Sequence, residues 1–208
     1  MRKKLLTMLA MQDSMNTKVH PQWSEQNYEW YRAVWIECAE LMDHQGYKWW
    51  KKQDPDLEQV QLEVIDIWHF GMSALFSNFD SATAIADAIL SAWSTADNQQ
   101  LSVHQATEDL ATWCLMHKSF SAVHFWQLLL AVDLDFEQLY VAYMGKNVLN
   151  FFRQDNGYKE GSYIKEWAGK EDNQHLVDIT AELDTEADSF RDDLYEALST
   201  RYQQLTAQ

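Results

Sequence analysis

The sequence has 208 residues, with 16 Lys and Arg against 32 Asp and Glu, so its formal net charge is −16. This charge argues against nucleic acid or an anionic membrane as a partner, because both are bound mainly through clustered Lys and Arg. Only six Gly and two Pro are present, and long stretches are rich in Ala, Leu, Gln, Glu and Met. This composition predicts an all-α fold, a bundle of helices joined by short turns, and we expect a single domain over residues 1–208.

The N-terminal stretch "MRKKLLTMLAMQD" imitates a signal peptide, but its apolar run is short and ends at Gln12 and Asp13 without a small-residue cleavage site. No apolar stretch approaches the roughly 20 residues of a membrane span. The two cysteines, Cys38 and Cys114, are too few for a disulfide framework, although one pairing stays open. We therefore expect a soluble, cytoplasmic protein.

Three helices are predicted in the first part of the chain, over residues 3–19, 24–46 and 56–77. Pro21 follows the first helix, and Gly46 is a suitable C-terminal stop for the second. The third helix has a buried stripe at helical spacing: Val60, Val64, Ile67, Trp68, Met72 and Leu75. The short loop between the second and third helices predicts that these two are antiparallel neighbours.

Apolar helical runs follow over residues 81–93 and 103–134, namely "ATAIADAILSAW", "ATEDLATWCLMH" and "AVHFWQLLLAVDL". We interpret them as core and subunit contacts. His117 and His124 stand seven residues apart without a partnering Cys or carboxylate, which indicates ordinary packed or surface histidines. From 136 to 176 a helix leads into a polar segment with glycines and many cations.

The remaining C-terminal segment, residues 178–208, is predicted to form an acidic tail helix with a solvated face.

Two pairs of carboxylates stand in apolar surroundings. Glu37 and Glu40 lie in "AVWIECAELMDH", and Glu63 and Asp66 lie in "LEVIDIWHF". Residues three apart project from one helix face, so the two pairs converge if those faces meet. Such a cluster is destabilising unless a hard divalent cation such as Mg²⁺ neutralises it. The plainer alternative is solvated glutamates paired with lysines, but the apolar flanks favour a metal site.

A polar helix face in the second half of the chain offers amides and a guanidinium suited to phosphate oxygens. It is formed by Lys146, Asn147, Asn150 and Arg153, and the following loop adds Lys159 and Lys165. Together with the metal cluster, these cations would hold a di- or triphosphate from both ends. The alternative is that they only pair with nearby acids, namely Asp155, Glu160 and Glu166.

Several of these motifs occur together in a known family. "ECAE", "LEVIDIWHF" and "GKNVLNFFRQDNGYKEGSYIKEWAGKEDN", in that order, with "MQDSMN" near the start, resemble the all-α dimeric dUTPases of the trypanosomal and bacterial or phage type. These are relatives of the MazG-like nucleotide pyrophosphohydrolases, the all-α NTP pyrophosphatases. The resemblance spans residues 11–176. The carboxylate pairs alone indicate only the superfamily, whereas "FRQDNGYKEG" indicates the dUTPase branch.

The resemblance implies a homodimeric hydrolase that converts dUTP and dUDP to dUMP, with water attacking the β-phosphorus. It places ligands for Mg²⁺, or Mn²⁺ as a substitute, on Glu37, Glu40, Glu63 and Asp66, with Glu40 orienting or deprotonating the water. Phosphate contacts fall on Asn150, Arg153, Lys159, Lys165 and Asn173. Base and sugar contacts fall on Gln12 and Asn16, with Trp50, His69 and Phe70 as walls of the pocket.

Two other readings stay open from the sequence. One keeps the chemistry and changes the base, giving a dCTPase or a broader MazG-like dNTP pyrophosphatase, because an amide side chain can turn to meet uracil or cytosine. The other is a non-catalytic helical interaction protein. Asp43, on the polar flank beside Glu40, is expected to be dispensable for catalysis.

Overall fold

The structure is a computed structural model and describes residues 1–97, 99–185, 187 and 189–206. In this part of the chain it contains nine α-helices and one pair of short strands, which confirms the all-α prediction. The chain divides into two compact units, Met1–Tyr140 and Val141–Gln208. None of the helices in the described ranges is long and apolar enough to cross a bilayer.

The helices are α1 Arg2–Val19, α2 Trp30–Gln45, α3 Leu57–Phe76, α4 Ala82–Thr95, α5 Val103–His117, α6 Ala122–Ala131, α7 Phe136–Asp155, α8 Asp172–Thr180 and α9 Phe190–Thr206. A 3₁₀ turn, Trp23–Glu25, precedes α2, and the strands are β1 Glu166–Trp167 and β2 Lys170–Glu171.

Helix α3 is the central element of the first unit. It begins after Asp56, whose carboxylate accepts a hydrogen bond from the N–H of Gln59 at 3.2 Å, as expected of an N-cap. Its Trp68 is fully buried and stacks on Phe125 with ring centroids 4.7 Å apart. Because α3 is covered by α1, α2, α4 and α6, several polar side chains along it are buried together with their hydrogen-bond partners.

Helices α2 and α3 pack extensively and run antiparallel, as the sequence predicts. The N–H of Asp56 donates to the carbonyl of His44 at the start of the pair, and Glu37, further back on α2, lies beside Asp66, further along α3. This geometry turns the carboxylate faces of the two helices toward each other.

Left-handed backbone conformations set two helix boundaries, and the first of these differs from the prediction. Asn27 has φ 51°, so the helix predicted from residue 24 begins only at Trp30. Lys118 has φ 52° and ends α5, and Ser121 then caps α6 by accepting from the N–H of His124. The two apolar runs predicted within residues 103–134 therefore lie in separate helices, α5 and α6. A helix cannot continue through a left-handed residue.

The second unit is built on the end of α7, the strand pair, α8 and α9. Its core contains Phe152 and Trp167, both buried, packed against Leu194 and Leu198 of α9. Strands β1 and β2 pair antiparallel across a tight turn in which Ala168 and Gly169 both have positive φ, the conformation that two-residue hairpins favour.

The predicted tail helix over 178–208 is also wrong in its extent. Residues 181–185 are not helical and α9 begins at Phe190, while residues 186, 188, 207 and 208 of that prediction lie outside the described residues. The "TAELDTE" stretch offers too few apolar residues at helical spacing to bury one continuous face.

Candidate functional site

Three carboxylates from α2 and α3 form an acidic cluster. One carboxylate oxygen from each of Glu37, Glu63 and Asp66 lies within 4.8 Å of the other two. Glu63 is only 8% exposed, and the other two are half-buried. The antiparallel packing of the two helices thus brings together three of the four predicted metal ligands.

The cluster carries a strong electrostatic penalty, which is visible at Glu37. Its pKa is raised to about 8, first by burial, then by the charge of Asp66 and by a hydrogen bond with Glu63, with smaller effects from the charges of Glu63 and Glu40. Carboxylates this close cannot all stay ionised in a partly dry site. Below about pH 8, Glu37 therefore holds a proton when no cation is present.

Glu40, the fourth predicted ligand, is exposed one turn after Glu37 and does not belong to the group of three. It is near enough for its charge to act on Glu37. Asp43 is exposed and pairs with Lys48, whose Nζ lies 3.6 Å from its Oδ1. His44, which the sequence argument did not select, places its Nε2 3.6 Å from Oε1 of Glu63. Its position seven residues after Glu37, on the same helix face, was an available signal.

The donor set of the cluster suits a hard divalent cation. All three groups offer carboxylate oxygens, without the sulfur or paired imidazole ligands typical of zinc sites. A cation would also offset the burial and the repulsion that raise the pKa of Glu37. The residues present therefore fit a metal such as Mg²⁺ or Mn²⁺.

A buried polar network lies further along α3 and connects it to α1. The Oε1 of Gln12 lies 2.8 Å from Nδ1 of His69, and the Nε2 of Gln12 donates to Oδ1 of Asn16 at 3.0 Å. The amide groups of Gln12 and Asn16 both donate to Oγ of Ser73, at 3.0 and 2.9 Å. All four residues are buried. Three predicted base-contacting residues, Gln12, Asn16 and His69, are thus in one hydrogen-bonded group with Ser73, which we call the Gln12 network.

Two other predicted base-contacting residues make contacts elsewhere in the first unit. Phe70 is half-buried and stacks on Trp30, with ring centroids 6.2 Å apart. Trp50 lies in the loop between α2 and α3, is 60% exposed, and has edge contacts with Tyr47 and Trp49. These contacts do not include the Gln12 network.

In the second unit, Arg153 of α7 forms a buried ion pair that the sequence argument missed. Its Nε and Nη2 donate to the two carboxylate oxygens of Asp172 at 2.7 and 2.8 Å. Asp172 is fully buried and also accepts from the hydroxyl of Tyr163 at 2.9 Å. The pKa of Tyr163 is raised by burial and by this carboxylate. The guanidinium is therefore fixed in one orientation, as bidentate pairs require.

Amide oxygens complete this cationic group. Arg153 donates through Nη1 to Oδ1 of Asn150 at 3.3 Å and through Nη2 to Oδ1 of Asn173 at 3.4 Å. Lys146 is buried, and its Nζ donates to the same Asn173 oxygen at 3.2 Å. Three of the predicted phosphate contacts, Asn150, Arg153 and Asn173, thus share hydrogen bonds, and Lys146 joins them. We call these residues, with Asp172, the Arg153 group.

The two predicted loop lysines are exposed. Lys165 lies 3.2 Å from Oε2 of Glu171, and Lys159 is on the surface of the same polar segment. Arg153 and Lys165 thus form ion pairs with Asp172 and Glu171, two acids that the alternative reading did not name.

A model of the dUTPase family matches residues 4–158. The chain belongs to the dUTPase family. Its all-α fold and the acidic cluster on two antiparallel helices agree with this assignment, which makes the enzyme a dUTP diphosphatase, a hydrolase. A comparison with curated proteins found no match.

The family match covers most of the enzyme's candidate site. The acidic cluster, the Gln12 network and Arg153 lie inside it, whereas Asp172 and Asn173 lie beyond its end. Neither Ser73 nor Asp172 was selected from the sequence, because a lone serine inside a helix and an aspartate in an acidic stretch have no local feature that marks them.

Proposed function

We propose that this dUTPase hydrolyses both dUTP and dUDP to dUMP and depends on Mg²⁺, with Mn²⁺ as a substitute. The observation that carries the proposal is the group of Glu37, Glu63 and Asp66, whose oxygens lie within 4.8 Å of one another. Membership of the family supports dUTP as the substrate. The free thiols of Cys38 and Cys114 support a cytoplasmic location.

The metal would be held by Glu37, Glu63 and Asp66, with the exposed carboxylate of Glu40 adjoining them. A divalent cation supplies neutralisation of the polyphosphate charge during attack by water. Glu37 would hold the cation in its ionised form, because the cation would offset the burial and repulsion that raise the pKa of this side chain. Glu40 remains accessible to water and accepts the proton of the attacking molecule.

The nucleoside end would be recognised by Gln12, Asn16 and His69, with Trp50 and Phe70 as walls. The distance along α3 between the acidic cluster and the Gln12 network supports this. Ser73, at the centre of that network, lies about 10 Å along the helix axis from Asp66. A nucleotide can span that length, so one face of α3 would serve both the phosphates and the base.

Phosphate oxygens would be bound by Asn150, Arg153, Lys159, Lys165 and Asn173. What supports this role is the shared hydrogen bonding of Arg153 and Lys146 around Asn173. Both cations reach the same amide oxygen, and ammonium and guanidinium N–H groups are donors that phosphate oxygens accept.

We also propose that the chain acts as a homodimer. Exposed apolar side chains on α5 and α6 support this, namely Leu115, Met116 and Leu130. Apolar side chains at such positions are those that subunit contacts bury.

The substitution Glu63→Gln tests the metal mechanism. It keeps the size of the side chain and removes one anionic ligand, so we expect Mg²⁺-dependent kcat/KM with dUTP to fall at least about 100-fold.

Product analysis of the wild-type enzyme should show dUMP and pyrophosphate from dUTP, and dUMP and phosphate from dUDP.

Asp43→Asn is the matched control, because Asp43 lies on the same pair of helices but is exposed and paired with Lys48. It should keep the wild-type rate. Full activity of Glu63→Gln, or of the wild type in excess chelator, would contradict the metal mechanism. Equal turnover of dCTP and dUTP would contradict the substrate assignment and favour the broader dNTP pyrophosphatase.

A further inference from the structure

Ser73 is at the centre of the Gln12 network, although nothing in its sequence context marks it. It is fully buried in α3, one turn after His69. Its Oγ lies at hydrogen-bond distance from three groups: the carbonyl of His69 at 3.0 Å, Nε2 of Gln12 at 3.0 Å and Nδ2 of Asn16 at 2.9 Å. A single hydroxyl therefore joins helix α3 to both amides of α1.

The direction of every hydrogen bond in this group follows from one backbone carbonyl. The carbonyl oxygen of His69 can only accept, so the hydroxyl of Ser73 donates its one proton there. The Oγ is then restricted to accepting. Both amides must turn their NH₂ groups toward it, because their carbonyl oxygens would face a lone pair.

The orientation of Gln12 in turn fixes the tautomer of His69. With the NH₂ of Gln12 directed at Ser73, its Oε1 faces Nδ1 of His69 at 2.8 Å. An oxygen acceptor at that distance requires a proton on Nδ1. In the neutral imidazole, Nε2 is then an acceptor.

Fixed directions matter for telling one pyrimidine from another. Uracil has a carbonyl acceptor where cytosine has an amino donor, and their ring N3 positions differ in the same sense. An amide that can turn by 180° satisfies either base. An amide that is fixed can match only one, and a mismatch leaves buried polar groups without partners.

We propose that Ser73 is a positioning residue for base selection, which holds the amides of Gln12 and Asn16 and the tautomer of His69 in the arrangement that accepts uracil and rejects cytosine. This inference rests on the proposed function, because it takes the Gln12 network to be the base-recognition group. Ser73 acts through its neighbours and does not itself have to touch the nucleotide.

The substitution Ser73→Ala removes the shared acceptor and leaves the helix backbone unchanged. We expect the ratio of kcat/KM for dUTP to that for dCTP to fall about tenfold or more, since a misdirected hydrogen bond costs at least about 1.4 kcal/mol. The change should lie mainly in KM, with kcat for dUTP within about threefold of wild type, because the carboxylates are untouched. Ser77→Ala, an exposed serine one turn further on, should leave the ratio unchanged.

Nitrogen-15 chemical shifts of the His69 ring, measured on the full chain without nucleotide, test the network independently of activity. The wild type should show a protonated Nδ1 and an unprotonated Nε2, and Ser73→Ala should show a mixture of tautomers. A wild-type ring protonated at Nε2 alone, or an unchanged dUTP to dCTP ratio in Ser73→Ala, would overturn the role of Ser73. If the wild-type enzyme itself had the same kcat/KM for dUTP and dCTP, that result would instead contradict the proposed function.

Discussion

At Glu37 the requirements of folding and of ligand binding oppose each other. The unfolded chain releases the Glu37 proton near its ordinary pKa of 4.5, whereas the folded, metal-free protein holds it up to about pH 8. Between these values the folded state binds more protons than the unfolded state. The contribution of this residue to stability therefore falls as the pH rises from about 4.5 to about 8 and is at its lowest above that window.

The substitution Glu37→Gln removes this penalty. In excess chelator at pH 8 to 9 we expect the variant to be more stable than wild type by about 1 to 2 kcal/mol, less than the full shift would give because the carboxyl is partly solvated and screened. The difference should disappear near pH 4.5, where both side chains are neutral. Urea unfolding across this pH range measures it.

Added Mg²⁺ should reverse the order, because only the wild type has the complete set of carboxylates. Asp43→Asn, which changes an exposed carboxylate on the same helix, should show no comparable pH dependence. A destabilised Glu37→Gln in chelator at pH 9 would contradict the raised pKa that burial and the neighbouring carboxylates give Glu37.

At the scale of the helix, Gly71 illustrates how packing overrides local propensity. A glycine inside a helix costs up to about 1 kcal/mol relative to alanine, yet Gly71 lies in the middle of α3. A Cβ added there would lie 2.5 Å from the ring of Phe120. The absent side chain is what allows the loop before α6 to approach α3 closely.

The two helical glycines are therefore predicted to respond with opposite signs to alanine. Gly71→Ala should destabilise the protein by about 1 to 3 kcal/mol, because the added methyl overlaps a buried ring. Gly145→Ala in α7 should stabilise by about 0.5 to 1 kcal/mol, since its Cβ would meet Leu176 at an ordinary 3.5 Å. Unfolding midpoints of the two variants measure this, and a stabilised Gly71→Ala would contradict the packing described for α3.

For the whole molecule, the family match and the compact units divide the chain differently. The match runs from residue 4 to 158 and so extends past the end of the first unit at Tyr140. The first unit contains the acidic cluster and the Gln12 network, and the second unit contains the Arg153 group. The segment that is characteristic of dUTPases therefore includes nearly all of the first unit and the whole of α7.

The proposed homodimer gives a prediction at this scale. Sedimentation equilibrium should return about twice the chain mass of 24.4 kDa. Met116→Lys on α5, where the side chain is 73% exposed, should shift the mass toward that of one chain, because a charge is costly in an apolar contact. A single-chain mass for the wild type at micromolar concentration would contradict the dimer.

Helical periodicity was sufficient to predict much of the site. The three-residue spacing in "ECAE" and "EVID" predicted paired carboxylates on two facing helices, and the structure brings Glu37, Glu63 and Asp66 together. The predicted start of the second helix is wrong because one backbone conformation, at Asn27, decided the outcome. Asn is enriched among left-handed residues, but such residues are uncommon, so the residue type alone does not mark the position.

The all-α class and the main carboxylate motifs can be predicted from the residues alone, because the period of a helix is a local property of the chain. The orientation of two α1 amides by Ser73 and the burial of Asp172 against Arg153 are visible only in the folded chain. These roles depend on contacts between residues 19 to 61 positions apart, and such pairings arise from packing rather than from any local pattern.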